Sequence, residues 1–193
     1  VFQVRIHGRG GQGVVTAAEL LSVAVFHDGL YAQAFPSFGS ERMGAPVVAY
    51  CRISEHPIRS REPVMEPDAL IIQDSTLLNS VDVFAGASAA AYILINTSRS
   101  FADLGLAEFL ADRQSDRNLI VPASEIALRH VGRPMPNAAL LGGFAAATGL
   151  VTLKSVLEAI SERFPERIAT ANIAAAQEAH DFVLNARREV EHA

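Results

Sequence analysis

The chain has 193 residues and a mass of 20.6 kDa, a length that fits one compact α/β domain. Half of the residues are apolar, 19% are charged, and the mean hydropathy is +0.22. Intrinsic disorder is thereby excluded, and the apolar excess implies either an alanine-dominated core or surface buried against other chains. A net charge of −5 argues against a general nucleic-acid binder, whose affinity rests on neutralising phosphates. No apolar run reaches the roughly 20 residues of a membrane span, and the sequence opens as a strand with no signal-peptide pattern. The single cysteine, Cys51, leaves no internal disulfide and no four-cysteine iron–sulfur cluster. The expectation is a cytoplasmic protein with no cluster of its own.

Phe2–Ile6 alternates apolar residues as a strand does and runs into His7-Gly8-Arg9-Gly10-Gly11-Gln12-Gly13. Helical spacing of Leu20, Leu21, Ala24 and Val25 predicts a helix over Val14–Phe26, stopped by Asp28-Gly29. A short strand, Leu30–Phe35, leads through the loop Pro36–Gly44 to a strand over Ala45–Ile53 with Pro46 at its start. Ala69–Ile72, Ala91–Ile95 and Leu119–Val121 are continuous aliphatic runs, the pattern of parallel strands buried on both faces. Beyond Pro122 the pattern is helical, with Ser124, Asn137 and Thr152 as candidate caps. Leu153, Val156, Leu157, Ile160 and Phe164 form the apolar stripe of one helix, and a last helix spans Arg167 to Glu191. The helix from Asn137 is small or apolar on nearly every face, so it lies either inside the domain or against another subunit. These readings give a single domain over residues 1–193. Its fold is Rossmann-like and doubly wound, with a mostly parallel sheet, helices on both faces and a helical C-terminal part.

Gly8-x-Gly10-x-x-Gly13 has the spacing of a dinucleotide-binding turn, in which glycines let the backbone approach a pyrophosphate at a helix N-terminus. A plain strand-to-helix turn has the same spacing. The acid that would hold a ribose about 20 residues further on is missing from Tyr31–Phe35, which disfavours NAD. A second loop, Ser37-Phe38-Gly39-Ser40-Glu41-Arg42-Met43-Gly44, can offer Arg42 to an anion, with Glu41 orienting it. It leaves the second strand at its carboxyl end, where loops of an open α/β sheet border one crevice. No catalytic set is evident. The six histidines lack metal-ligand spacing, His7 reads as a packed strand-end residue, and Cys51 as a buried inert thiol. Asp68 and Asp74 read as turn and cap residues.

Taken together, Gly8–Gly13, Pro36–Arg42 and Pro136–Gly142 resemble the gamma subunit of the 2-oxoacid:acceptor oxidoreductases, typified by pyruvate:ferredoxin oxidoreductase. The resemblance covers nearly the whole chain, with Met43 and Asn137-Ala138 as departures from the family's usual residues. It implies oxidative decarboxylation of a 2-oxoacid with coenzyme A to acyl-CoA, carbon dioxide and reduced acceptor. Thiamine diphosphate, magnesium and [4Fe-4S] clusters would reside on alpha, beta and delta-type partner subunits. Electrons would pass through other subunits to ferredoxin or, by way of a flavoprotein, to NAD. This chain would help bind coenzyme A through Gly10, Gly11, Gln12 and Gly13, with Phe38, Gly39 and Arg42 from the second loop. Alternatives are a stand-alone nucleotide-binding module and the indolepyruvate-type branch of the same superfamily.

Overall fold

The computed structural model describes residues 1–37 and 42–193. These form six strands: β1 (Phe2–Arg9), β2 (Tyr31–Pro36), β3 (Pro46–Ser54), β4 (Ala69–Ile72), β5 (Tyr92–Asn96) and β6 (Asn118–Val121). The helices are α1 (Val14–His27), α2 (Ala107–Leu110), α3 (Ala123–Val131), α4 (Asn137–Thr148), α5 (Leu153–Arg163) and α6 (Glu166–Glu191). The strands make one sheet in the order β2-β3-β1-β4-β5-β6. β1, β4, β5 and β6 pair in parallel, and β3 runs antiparallel to both of its neighbours. Thus β2 points the same way as β1 but lies at the sheet edge, with β3 between them.

Alternation along the strands sorts side chains onto two faces. Val4, Ile6, Ile71, Leu94 and Val121 face the larger core, which they share with α1, α3, α4, α5 and α6. Leu70, Ile72, Ile93 and Ile95 face the other way, onto Leu77 of a 3₁₀ turn (Ser75–Asn79), Val83, and the half-buried Leu104 and Leu110. The expected two-sided covering is present, but its second side consists of short turns rather than full helices.

The C-terminal helices account for the apolar excess. All residues of α4 from Asn137 to Ala147 are buried within this chain, so α4 is a core helix and supplies no subunit interface. Its small residues admit close neighbours. The Ala176 carbonyl of α6 stands where a Cβ of Gly142 would be, and Gly143 lies beneath Leu94 and Val183. Burying Phe144, which is 1% exposed, contributes about 2–3 kcal/mol. Gly149 closes α4 in a left-handed turn at φ 64°, and the Arg187 guanidinium donates to the last-turn carbonyls of Ala146 and Ala147 at 3.0 and 2.9 Å.

Thr152 caps α5 as expected, its hydroxyl accepting from the Ser155 N–H. Ser124 and Asn137 do not cap. α3 and α4 begin behind Pro122 and Pro136, which places both residues inside the first turn. Their side chains bond across the fold instead, as described below.

Candidate ligand-binding site

The chain leaves β1 toward α1 and returns on one side of the sheet, whereas β4, β5 and β6 extend to the other. The switch point is therefore at the carboxyl ends of β1 and β4, where an open α/β sheet forms its crevice. The glycine turn stands there. Gly11 and Gly13 adopt φ of 91° and 71°, a left-handed region costly for residues with a Cβ. Gly10 is needed for another reason. Its N–H donates to the Ala45 carbonyl at 2.8 Å, its carbonyl accepts from the Gly44 N–H at 3.0 Å, and the Arg42 carbonyl occupies the place a Cβ would take.

The second loop thus docks on the first through backbone bonds, as the shared carboxyl-end position leads one to expect. Arg42 is exposed beside the glycine turn. Phe38, Gly39 and Glu41 lie outside the described residues. β3 and this loop, rather than β2, stand next to β1, so the end of β2 is not where a dinucleotide fold would hold its ribose.

The four proposed loop amides are not equivalent. The Gly10 N–H is committed to Ala45, and the Gln12 N–H donates to the Arg9 carbonyl at 3.1 Å. Gly11 and Gly13 have N–H groups with no protein partner among the described residues. Gly13 precedes α1 without a side-chain cap, so the first-turn amides of that helix add positive potential at the same point. Asn137, at the start of α4, reaches this turn. Its amide nitrogen contacts the Gly13 carbonyl at 3.4 Å while its oxygen accepts from the Ala138 N–H at 2.9 Å.

Other polar groups at the strand ends escaped the sequence reading. A cleft of about 300 Å³ opens beside Gln12 and is lined by Gln73, Asn96, Thr97, Arg99 and Ser124. Asn96 braces it, donating to the Gln73 carbonyl and the Ser124 hydroxyl, both at 2.8 Å, and accepting from the Ser124 N–H at 3.1 Å. The available signal was one polar residue closing each buried aliphatic run, Gln73 after Ile72 and Asn96 after Ile95.

The titratable groups near the sheet behave as structural parts. His7 is buried and accepts from the Arg5 Nε–H at 3.0 Å. Burial, then the Arg5 charge, lowers its pKa to about 4, so the ring is neutral at pH 7 and is not an imidazolium acid. Burial pushes the Cys51 thiol up to about 12, which leaves it unreactive. Asp68 accepts from the Gln3 N–H at 2.8 Å. Asp74 caps the 3₁₀ turn through the Thr76 N–H. Burial raises the Asp74 carboxyl, but hydrogen bonds from Thr76 and Gln12 and the Arg9 charge outweigh this and hold it below the usual range.

A largely parallel sheet with a glycine turn at its switch point and a second loop docked upon it defines a Rossmann-like α/β domain. Residues 3–182 match the model of the pyruvate ferredoxin/flavodoxin oxidoreductase family. The chain is 43% identical to the pyruvate synthase subunit PorC of Methanothermobacter marburgensis, over 94% of this chain and 97% of that one. It is 45% identical to the pyruvate/ketoisovalerate oxidoreductases common subunit gamma of Thermococcus kodakarensis, over 93% and 95%. The crystal structure of pyruvate oxidoreductase subunit PORC from Thermotoga maritima superposes with a TM-score of 0.76 at 34% identity, covering 93% of this chain and 95% of that one. The chain therefore belongs to the pyruvate ferredoxin/flavodoxin oxidoreductase family. It is a gamma-type subunit of a 2-oxoacid oxidoreductase complex.

Proposed function

We propose that this gamma subunit supplies part of the coenzyme A site of an enzyme that converts a 2-oxoacid to acyl-CoA and carbon dioxide. The observation that carries the reading is the pair of amides, Gly11 and Gly13, that have no protein partner among the described residues, at the N-terminus of α1 beside Arg42. Backbone donors that cost no reorganisation, together with a helix dipole, suit a phosphate oxygen. The Arg42 guanidinium adds a charge-assisted donor from the second loop. Gly10 and Gln12 then shape the turn rather than donate from their amides. Phe38 and Gly39 remain assigned to the same ligand from their place in that loop.

Thiamine diphosphate with magnesium, which supplies the decarboxylation chemistry, and the [4Fe-4S] clusters belong in this reading to the alpha, beta and delta-type partners. One buried cysteine cannot hold a cluster. The 2-oxoacid is selected on those partners too. The Thermococcus relative is named as common to pyruvate and ketoisovalerate oxidoreductases, as a chain serving two substrates must be if its own contacts are to the shared thiol carrier. The test is steady-state kinetics of the assembled enzyme. Gly11→Asp and Arg42→Ala should each raise the KM for coenzyme A, by about tenfold for the loss of a charge-assisted contact. An unchanged KM and turnover in both would sink the assignment.

A further inference from the structure

Glycines that make the turn pliable also make it expensive to order, because each one has more conformational freedom to lose than any other residue. A loop that binds through the amides of Gly11 and Gly13 must therefore be held from outside, and the bonds that hold it converge on one carboxylate. The Arg9 N–H donates to Gln12 Oε1 at 2.7 Å, so the side chain of Gln12 closes the turn onto its own beginning. Gln12 Nε2 donates to Asp74 Oδ2 at 2.8 Å, and Arg9 Nε lies 3.3 Å from the same oxygen. Asp74 Oδ1 accepts from the Thr76 N–H at 2.9 Å and its hydroxyl at 2.6 Å, fixing the carboxylate to the start of the 3₁₀ turn. Arg9 also donates to the Gly44 carbonyl and to Thr76 Oγ1, both at 3.0 Å. The guanidinium therefore joins both loops to the exit of β4, and Gln73 Nε2 adds a bond to the Gln12 carbonyl at 2.9 Å.

We propose that Arg9, Gln12 and Asp74 form a latch that holds the glycine turn in its ligand-receiving shape, acting as positioning residues for coenzyme A. The proposal rests on the coenzyme A reading above and adds to it a set of side chains that need not touch the ligand. Both polar atoms of the Gln12 amide and both Asp74 oxygens are spent within the latch. Its contribution is to keep the ordering of the turn out of the binding equilibrium. Loss of the latch should therefore raise KM for coenzyme A and leave kcat at saturating coenzyme A unchanged.

The experiment is steady-state kinetics of the assembled enzyme with pyruvate and varied coenzyme A. Gln12→Glu sets a carboxylate against Asp74 while retaining the acceptor for the Arg9 N–H. It should raise KM about tenfold or more, the scale of one charged hydrogen bond turned repulsive. The double variant Gln12→Glu/Asp74→Asn restores a donor–acceptor pair with the roles exchanged and should recover most of that loss. Should Gln12→Glu impair assembly, Arg9→Lys keeps a charge beside Asp74 but lacks the fork that reaches Gly44 and Thr76, and should raise KM about threefold. The latch is overturned if the single variants stay within twofold of the parent KM. It is also overturned if kcat falls at constant KM, or if the double variant is no better than Gln12→Glu. Gly11→Asp and Arg42→Ala separate the two ideas. If both leave KM and turnover unchanged, the coenzyme A reading fails; if they raise KM while the latch variants do not, only the latch fails.

Discussion

Replacing His7 by Gln removes a buried titrating ring while keeping an acceptor for the Arg5 Nε–H, which lies 3.0 Å from His7 Nε2. Arg5 is itself buried and donates to the carbonyls of Val64, Val83 and Ala85. A proton on His7 would thus destroy the acceptor and place a second cation beside the first. Its pKa is lowered from 6.5 to about 4, so the folded chain refuses a proton that the unfolded chain takes up. A group depressed in this way favours folding above its unfolded pKa and disfavours it progressively as the pH falls toward the folded one. The full penalty is about 3 kcal/mol, and about 2 kcal/mol of it should have accrued by pH 5. Urea unfolding of the parent chain and of His7→Gln, followed by circular dichroism at pH 7, 6 and 5, measures this directly. The variant is expected to be the less stable at pH 7, because an amide fills the imidazole site poorly. Relative to the parent it should gain about 2 kcal/mol between pH 7 and 5. All other titrating groups are common to both chains and cancel. A stability gap that stays constant over this range would refute the argument and show that the ring takes its proton while folded.

Gly142→Ala puts a methyl group where the Ala176 carbonyl of α6 stands. Helix propensity favours Ala by about 1 kcal/mol, yet the overpacking should prevail and cost about 1–3 kcal/mol; a thermal midpoint equal to or above the parent's would contradict the close α4–α6 approach. Asp28 joins α1 to α5 by accepting from the Thr152 N–H and hydroxyl at 2.7 and 2.8 Å and from the Ser155 hydroxyl at 2.5 Å. Burial raises its carboxyl, but the Ser155 and Thr152 bonds outweigh this and lower it, so the stability it confers is present at neutral pH and lost as pH falls through the acid range. Asp28→Asn should cost about 1 kcal/mol at pH 7 and progressively less in acid, read by chemical unfolding; an equal loss at every pH would mean that the charge is irrelevant.

Much of the fold was legible because its local signals and its tertiary environment agree. The aliphatic runs Ala69–Ile72 and Leu119–Val121 are strands β4 and β6 within a residue, and Pro46 opens β3 where its missing N–H does no harm. The position of β3 was not legible. That it pairs antiparallel with β1 and pushes β2 to the edge follows from the docking of Arg42–Ala45 on Gly10, a contact between residues more than 30 apart that no local pattern encodes. The caps show the same division. Ser124 and Asn137 have the chemistry of caps, but the prolines before them occupy the cap positions, so each side chain is free to tie its helix to a strand end or to the glycine turn.

The candidate site was legible as a place and illegible as a circuit. Glycine spacing and a polar loop at the carboxyl edge locate it, since only backbone freedom and strand direction are involved. Which amides are open depends on partners distant in sequence. Gly10 is taken by Ala45, and the Gln12 side chain, which composition would assign to a ligand, is turned inward onto Asp74. The helix over Asn137–Thr148 makes the converse case. Small apolar residues on every face are equally suited to a subunit interface and to a crowded interior, and only the presence of α6 across Gly142 decides for the interior. An alanine-rich core of this kind accounts for the hydropathy without an exposed apolar surface from α4. The contacts of this gamma subunit with its partners must therefore be made by other faces of the domain, of which the edge bearing the glycine turn and Arg42 is the one that its proposed role requires to meet the rest of the enzyme.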